Sequence, residues 1–291
     1  MSVQIFKEIR AAVANLDPGE VQSLAERQIS IGLVASNPAG FETMEEFLLP
    51  AERVSARKRI ETVNILHRSS EPPSADHFDL VLCEPGLACP RNGFTFYPEH
   101  PGRTVHEILS ECSELELALA RNFYSFRQPV VDRIIHKVSK DNALFALLTA
   151  LPDVLPSFIE LPWTVGEFAS DTAFITINQI RMAFLIAAAS DKPVGYSLQK
   201  GEIATIVTGA FGWRALAREL VGKIPFGGGL LPKGAIAFAG TYVVGLGLDR
   251  FHRLGYGLTR AERREHYQAA FERGKGVVEF LLRGIKSRSI A

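Results

Sequence analysis

The sequence lacks several features on which functional assignment commonly rests. Its formal net charge at neutral pH is zero, because 32 basic residues balance 32 acidic ones. A nucleic-acid partner is therefore not favoured, since such proteins usually carry a basic surface. The amino terminus has no basic segment followed by an apolar run, so we expect no signal peptide. No H-E-x-x-H pair and no G-x-S-x-G nucleophile turn occurs, and we expect no metal, no cofactor and no catalytic residue.

Cysteine is also scarce. The three cysteines are Cys83, Cys89 and Cys112, and none of them lies in a C-x-x-C pair or at a zinc-finger spacing from histidine. This pattern predicts free thiols in a reducing compartment. We therefore expect a cytoplasmic protein, located in the cytoplasm itself or at or in the inner membrane.

No uncharged run reaches the about 18 residues that commonly mark a membrane-spanning helix. The longest one, residues 234–248, lies between Lys233 and Asp249. With the apolar segment that precedes it, it forms a hairpin at 224–248 whose small side chains are typical of closely approaching membrane helices. Close packing in a soluble bundle explains the same composition, so both interpretations stay open.

Charge is unevenly distributed along the chain. Residues 249–291 carry ten Lys or Arg and five Asp or Glu, which makes this tail +5 and the rest of the chain −5. An anionic membrane surface is one partner that a basic tail favours. A solvated helix face with i,i+4 pairs such as Glu262 and His266 explains the same charge and is the preferred interpretation.

Residues 29–43 have the outline of a strand, a phosphate-binding loop and a helix start. A working loop reads G-x-x-x-x-G-K-[ST], in which backbone N–H groups and the Lys hold phosphates and the hydroxyl holds Mg²⁺. The corresponding residues are Ala35 for the first Gly, Gly40 for the second, Phe41 for the Lys and Glu42 for the hydroxyl residue. Cys83 stands where a metal-contacting Asp would follow the third strand. The loop therefore predicts no nucleotide turnover.

The charges near this loop lead to the same expectation. A helix N-terminus attracts anions through its unpaired N–H groups and its dipole. With a helix predicted from residue 43, Glu42, Glu45 and Glu46 fall in its first turns. We expect these carboxylates to repel a triphosphate.

The pattern of apolar residues predicts an α+β fold. Up to residue 124, strands alternate with helices: strands at 29–35, within 60–67, at 78–83 and at 94–97, and helices from 43 and over 104–122. From residue 125 the pattern is helical only, with a helix that starts at Pro129 and further helices at about 171–190, 203–222, 232–250 and 259–284. The last of these begins with the capping box Thr259-x-x-Glu262. We expect a small degenerate P-loop-like α/β domain at 1–124, followed by an all-α helical bundle at 125–291.

Polar residues interrupt the apolar helices of the second part. They are Asn178, Gln179, Arg181, Arg214, Arg218, Glu219 and Thr241. Buried charges must be paired, and we expect Glu219 to be the partner of Arg181. A structural network that fixes helix register and an ion or ligand path are both consistent with this set.

Three strings carry a resemblance to a known family. Residues 171–182, 209–225 and 233–245 resemble the bacterial YcjF-type domain of unknown function. That domain often follows, or is encoded beside, Era-like GTPases, and many members are regarded as membrane proteins. The resemblance implies that residues 1–124 are a decayed GTPase module, and the family supplies no catalytic residues.

The functional expectation is a non-catalytic pseudo-GTPase-like scaffold or regulator that is membrane-associated or membrane-adjacent. A protein partner and an anionic membrane surface are the partners this implies. One alternative is a nucleotide hydrolase with a remodelled site. Another is a membrane-perturbing or pore-like protein whose active part is the hairpin 224–248.

Overall fold

The structure, a computed structural model, describes residues 16–71, 77–150, 171–208 and 230–288. Within these residues, most elements are helices, four strands form a small parallel sheet, and the fold is α+β. Two compact units are present. One takes in residues 20–132 and 188–193, and the other takes in the rest of the described chain.

The described residues of the first part of the chain supply the sheet, five short α-helices and a 3₁₀ turn. Its elements are α1 (Pro18–Ala25), β1 (Ile31–Val34), α2 (Pro38–Leu48), α3 (Ala56–Val63), β2 (Leu66–Ser69), β3 (Leu80–Cys83), β4 (Gly93–Thr95), α4 (Pro101–Glu111), a 3₁₀ turn (Ser113–Leu115) and α5 (Glu116–Asn122). All four strands are parallel and lie in the order β2-β1-β3-β4.

The two central strands, β1 and β3, are in register. Ile31 of β1 lies opposite Leu66 of β2 on one side and Leu80 of β3 on the other. Every residue of β1 and β3 is buried, as the apolar run at 78–83 predicts for a strand covered on both faces. The carboxyl ends of the two strands are therefore neighbours at one edge of the sheet.

Side-chain caps fix the helix starts and correct two predictions. Asn37 Oδ1 accepts the backbone N–H of Gly40 at 3.1 Å and begins α2 at Pro38, so the predicted start at residue 43 is wrong. Ser55 Oγ accepts the N–H of Lys58 at 3.3 Å and begins α3, so residues 56–63 are helical. The second strand follows at 66–69 instead of lying within 60–67.

Two further boundaries differ from the predicted ones. The helix predicted over 104–122 is interrupted, because α4 ends at Glu111 and the 3₁₀ turn separates it from α5. The next helix, α6 (Tyr124–Leu148), begins before Pro129 and contains that proline.

Helices make up most of the second part of the chain. They are α6, α7 (Asp171–Ala189), α8 (Leu230–Leu254) and α9 (Arg260–Arg288), and residues 200–208 are helical as well. The capping box predicted at the start of α9 is confirmed. The Thr259 N–H donates to the Glu262 carboxylate at 2.8 Å, and the Glu262 N–H donates to Thr259 Oγ1 at 3.3 Å.

Apolar and small side chains join these helices. The rings of Phe145 in α6 and Phe174 in α7 stack with their centroids 3.6 Å apart. Phe238 of α8 packs with Leu147 of α6 and Val278 of α9. At Gly245 of α8, an added Cβ would lie 2.7 Å from an Ile135 side-chain carbon. The small residues of α8 thus allow close helix packing within the protein.

Two of the described helices are long and apolar enough to cross a membrane: Thr172–Ala189 in α7, and Leu231–Leu254 in α8. The protein itself buries 78% of the α7 segment and 56% of the α8 segment. On this measure, α8 has more surface to offer to lipid than α7 has.

Candidate functional site

The edge of the sheet where β1 and β3 end is the candidate site. In open parallel sheets, ligands bind at the carboxyl ends of the strands, where the strand order reverses direction. β1 lies between β2 and β3, so this point falls between β1 and β3. Ser36 and Asn37 follow β1 and Glu84 follows β3, and these are the side chains to consider first.

Glu84 binds the loop that follows β1. One carboxylate oxygen, Oε2, accepts the backbone N–H of Ser36 at 2.7 Å and the Ser36 hydroxyl at 2.6 Å. The Glu84 N–H donates to the carbonyl of Val34 at 2.8 Å and fixes where the side chain leaves the strand. These bonds to Ser36 hold the pKa of Glu84 below its ordinary value, with the hydroxyl contributing more than the N–H. The carboxylate is therefore anionic at neutral pH.

Gly40 makes room for this carboxylate. A Cβ at Gly40 would lie 2.8 Å from the Ala35 Cβ and 3.2 Å from Glu84 Oε1. Ala35 is fully buried, so it has little freedom to move away. The second glycine of the predicted loop is thus required by the approach of Glu84, an anion that the protein itself supplies.

Phe41 and Glu42 do not face this site in the way that the motif places Lys and Ser/Thr. Phe41 is buried among the core residues of α2, and the guanidinium of Arg68 lies 5.5 Å from its ring centroid. Arg68 also makes two hydrogen bonds to Glu45, at 2.6 and 2.7 Å. Glu42 is exposed.

The electrostatic expectation for this helix needs a correction. Because α2 begins at Pro38, its first turn contains no acidic residue, and Glu42, Glu45 and Glu46 all lie beyond that turn. The anion at the loop is Glu84, which comes from the neighbouring strand. Glu84 lies one residue after Cys83, the position of the expected metal-contacting Asp, and the loop motif gives no indication of its role.

The prediction that all cysteines are free thiols is wrong for two of them. Cys83, which replaces the expected Asp, is buried and forms a disulfide with Cys89. Gly86 adopts a φ of +90°, a conformation that glycine tolerates best, and the chain turns back there. This turn brings the two Cα atoms to 6.0 Å. Cys112 is free.

A second group of polar residues lies inside the helical unit. Asn142 Nδ2 donates to Thr241 Oγ1 at 2.9 Å, and Asn142 Oδ1 accepts from Asn178 Nδ2 at 2.8 Å. Gln179 Nε2 donates to the same Thr241 oxygen at 3.3 Å. All four side chains are buried. The structure therefore brings together three of the predicted polar residues, Asn178, Gln179 and Thr241. A residue that was not predicted, Asn142, joins them.

Asn142 was missed by sequence reasoning, although a signal for it was present. It lies four residues after Val138, on the stripe of α6 that includes Ile134 and Ile135. A continued helical period places it on the same apolar face. A polar side chain on that stripe needs a partner, because an unpaired buried amide costs about 1–3 kcal/mol.

The charged members of the predicted network are placed differently. Arg181 is partly exposed, and together with Lys137 and Lys140 it favours the ionised form of Asp141. Burial is the stronger effect and raises the pKa of Asp141. Arg214, Arg218 and Glu219 lie outside the described residues, so the pairing of Arg181 with Glu219 stays a prediction.

The two groups differ in what they can do chemically. The helical cluster consists of neutral amides and a hydroxyl that satisfy one another, an arrangement that fixes helix register. The sheet-edge site offers hydrogen-bond donors that already hold a carboxylate. A phosphate would have to displace Glu84 to reach those donors.

Comparison with known proteins adds no relative to this description. No family model matches the chain, and no curated protein and no solved structure matches it. Functional inference therefore rests on the geometry of the chain's own residues.

Proposed function

We propose that the protein is a non-catalytic, GTPase-like scaffold or regulator that acts at a membrane. In this proposal, residues 1–124 form a degenerate P-loop-like α/β domain and residues 125–291 form an all-α bundle of the YcjF type. A protein partner binds the α/β domain, and the helical part holds the protein at the membrane. The observation that carries the proposal is the bond between Glu84 and Ser36.

This bond supports a non-catalytic role because it uses the donors that a phosphate would need. Phosphate loops hold their ligand through backbone N–H groups at the start of the helix. Here the Ser36 N–H and hydroxyl both donate to Glu84. No lysine compensates at position 41, where Phe41 is buried in the core. Binding a nucleotide would require moving a charged side chain as well as attracting a second anion.

The membrane part of the proposal is supported by α8 and the basic segment that follows it. α8 combines a length sufficient to span a bilayer with incomplete burial inside the protein. The tail at 249–291 carries ten basic residues against five acidic ones. Basic segments next to a span stay on the cytoplasmic side and favour anionic lipid.

Flotation of the full-length protein with anionic liposomes, followed by a carbonate wash, tests this proposal. Wild-type protein is expected to remain with the liposomes after the wash. Leu246→Asp places a charge in the partly exposed part of α8 and adds about 2.5–3.5 kcal/mol to insertion. That variant should be released by carbonate, whereas Leu198→Asp, on an exposed residue outside both spans, should behave as wild type.

Other outcomes identify the alternatives. Wild-type protein that never floats, while staying monodisperse without detergent, contradicts the membrane role and leaves a soluble scaffold. Release of a trapped dye from the liposomes favours the pore-like alternative, in which the hairpin 224–248 is the active part. Turnover of GTP or ATP by the pure protein favours the hydrolase alternative.

A further inference from the structure

A cavity of about 380 Å³ lies beside the turn that joins α8 to α9. Its wall is formed by the end of α8, the turn at 257–258 and the helical residues 201–206. Small-molecule pockets have volumes of about 300–1,000 Å³ and are mostly apolar, with a few polar groups that orient the ligand. The cavity falls in this range, and it belongs to neither of the two polar groups described above.

The wall of the cavity is mainly aliphatic and aromatic. Ile206, Val243, Leu248, Phe251 and Leu258 contribute to it. Gly201 and Gly247 also line it, and within the described part of the chain an added Cβ at either position would meet no atom within 4 Å. Side chains at these two positions would occupy the space, so the glycines keep the cavity open.

Charged side chains at the cavity distinguish its interior from its rim. The side chain of Glu202 is 11% exposed, and its Oε1 lies 3.8 Å from Nε2 of His252, so this acidic group has a neighbour inside the protein. Arg263 lines the cavity and is exposed to solvent. The group available to the head of a bound molecule is therefore cationic.

The segment of chain that contributes Phe251, Gly257 and Arg263 to the cavity combines exposed apolar and basic residues. Phe251, Leu254 and Tyr256 are 42%, 53% and 56% exposed. Arg253, Arg260 and Arg264 are exposed in the same stretch of chain. Aromatic and aliphatic side chains among basic ones are typical of surfaces that enter the headgroup region of an anionic membrane.

From this arrangement we propose that the cavity binds one acyl chain of an anionic amphiphile. The chain occupies the apolar interior beside Gly247, and the carboxylate or phosphate head pairs with Arg263. Burial of the acyl chain away from water stabilises the complex, and each additional CH₂ group in the cavity adds to the affinity. The source is either a membrane lipid or a free fatty acid, and only the first of these rests on the proposed membrane function.

The experiment is a calorimetric titration, in which laurate is added to the full-length protein below the micellar concentration of laurate and the heat of binding is measured. Gly247→Leu fills the cavity, and Gly276→Leu is its matched control. Gly276 is exposed on α9, and in the described part of the chain an added Cβ there would meet no atom within 4 Å. Wild type and Gly276→Leu should bind laurate alike. Gly247→Leu should bind at least about tenfold more weakly, a loss of about 1.4 kcal/mol. No binding by wild type, or equal binding by the two leucine variants, would overturn the proposal.

A second comparison tests the head group. Arg263→Gln should weaken laurate binding about tenfold, because the carboxylate loses a charge-assisted hydrogen bond. The same substitution should leave the binding of lauryl alcohol unchanged, because this ligand has the same chain and no charge. Equal effects on the two ligands, or none on either, would contradict the assignment of Arg263.

Liposomes distinguish the two sources. If phosphatidylglycerol liposomes capture clearly less of Gly247→Leu than of wild type and Gly276→Leu, the chain comes from a membrane lipid. If the liposomes capture all three proteins equally, or none of them, while free laurate still distinguishes the variants, the ligand is a free fatty acid. If none of the three proteins is captured while laurate still distinguishes the variants, the membrane function fails and the cavity proposal holds.

Discussion

Ser36 donates two hydrogen bonds to a single oxygen of Glu84, from its backbone N–H at 2.7 Å and from its hydroxyl at 2.6 Å. The two residues are 48 positions apart in sequence, and they meet because β1 and β3 are neighbours in the sheet. The structure therefore places an internal anion at the end of the sheet where an external one would otherwise bind.

The first prediction concerns the pH dependence of stability at this pair. Because Ser36 lowers the pKa of Glu84 in the folded protein, the ionised carboxylate stabilises the fold above the pKa of the unfolded chain, about 4.3. This contribution is lost as the pH falls through the folded-state pKa. Glu84→Gln should therefore lower the free energy of unfolding at pH 7 and have a smaller effect near pH 3. Urea denaturation across this range measures the difference.

Glu99→Gln is the control for this prediction, because Glu99 is an exposed glutamate outside the segments that follow β1 and β3. Its effect on stability should be small at every pH. A Glu84→Gln effect of the same size at pH 3 and at pH 7 would show that the charge of Glu84 contributes nothing.

The second prediction concerns the buried polar cluster. Asn142→Ala removes the partner of Asn178 and one partner of Thr241. Leaving a buried polar group without a hydrogen bond costs about 1–3 kcal/mol, so the free energy of unfolding should fall by about that amount. Asn64→Ala, at an exposed asparagine, should change it by less than about 0.5 kcal/mol. Similar small effects at both positions would exclude a stabilising cluster.

The third prediction compares two glycines of helix α8. A Cβ at Gly245 would lie 2.7 Å from Ile135 Cγ1, whereas in the described part of the chain a Cβ at Gly240 meets nothing within 4 Å. Gly245→Ala should destabilise the protein by about 1–3 kcal/mol through overpacking. Gly240→Ala should be neutral or stabilising, by up to about 1 kcal/mol, because alanine favours the helix. Thermal or urea unfolding of the two variants gives the comparison, and the reverse order would contradict the close contact of α8 with α6.

The fourth prediction concerns the cysteines. Because Cys83 pairs with Cys89 and Cys112 is free, alkylation of the denatured, unreduced protein should label one of the three cysteines. After reduction, all three should be labelled. Mass spectrometry of the intact chain reads both states, and full labelling before reduction would restore the prediction of free thiols.

Local signals in the sequence predicted several elements of the fold correctly. The apolar run at 78–83 gave a buried strand, now seen at 80–83. Thr259 and Glu262 gave the start of α9. These features depend on residues within a few positions of one another, and their patterns are therefore legible before the chain is folded.

Features that depend on distant residues were not predictable in this way. The role of Glu84 requires the pairing of β1 with β3, which the sequence does not specify. The disulfide requires the turn at Gly86. The alternation of Val63 and Ile65 imitated a strand, but Ser55 capped a helix that ends at Val63. In the helical part, apolar residues revealed the helices but not the partner that joins Asn178 to Thr241.

We propose above all that the sheet edge binds no nucleotide. The direct test is calorimetric titration of the pure, full-length protein with GTP and with ATP, each with and without Mg²⁺. We expect no saturable heat at micromolar concentrations, because Glu84 accepts the hydrogen bonds of the Ser36 donors. Phe41→Lys alone should not restore binding, since Glu84 stays in place and Cys83 offers no metal ligand while it is bonded to Cys89. Saturable binding of either nucleotide by wild type would contradict the proposal that Glu84 occupies the donors that a phosphate would need.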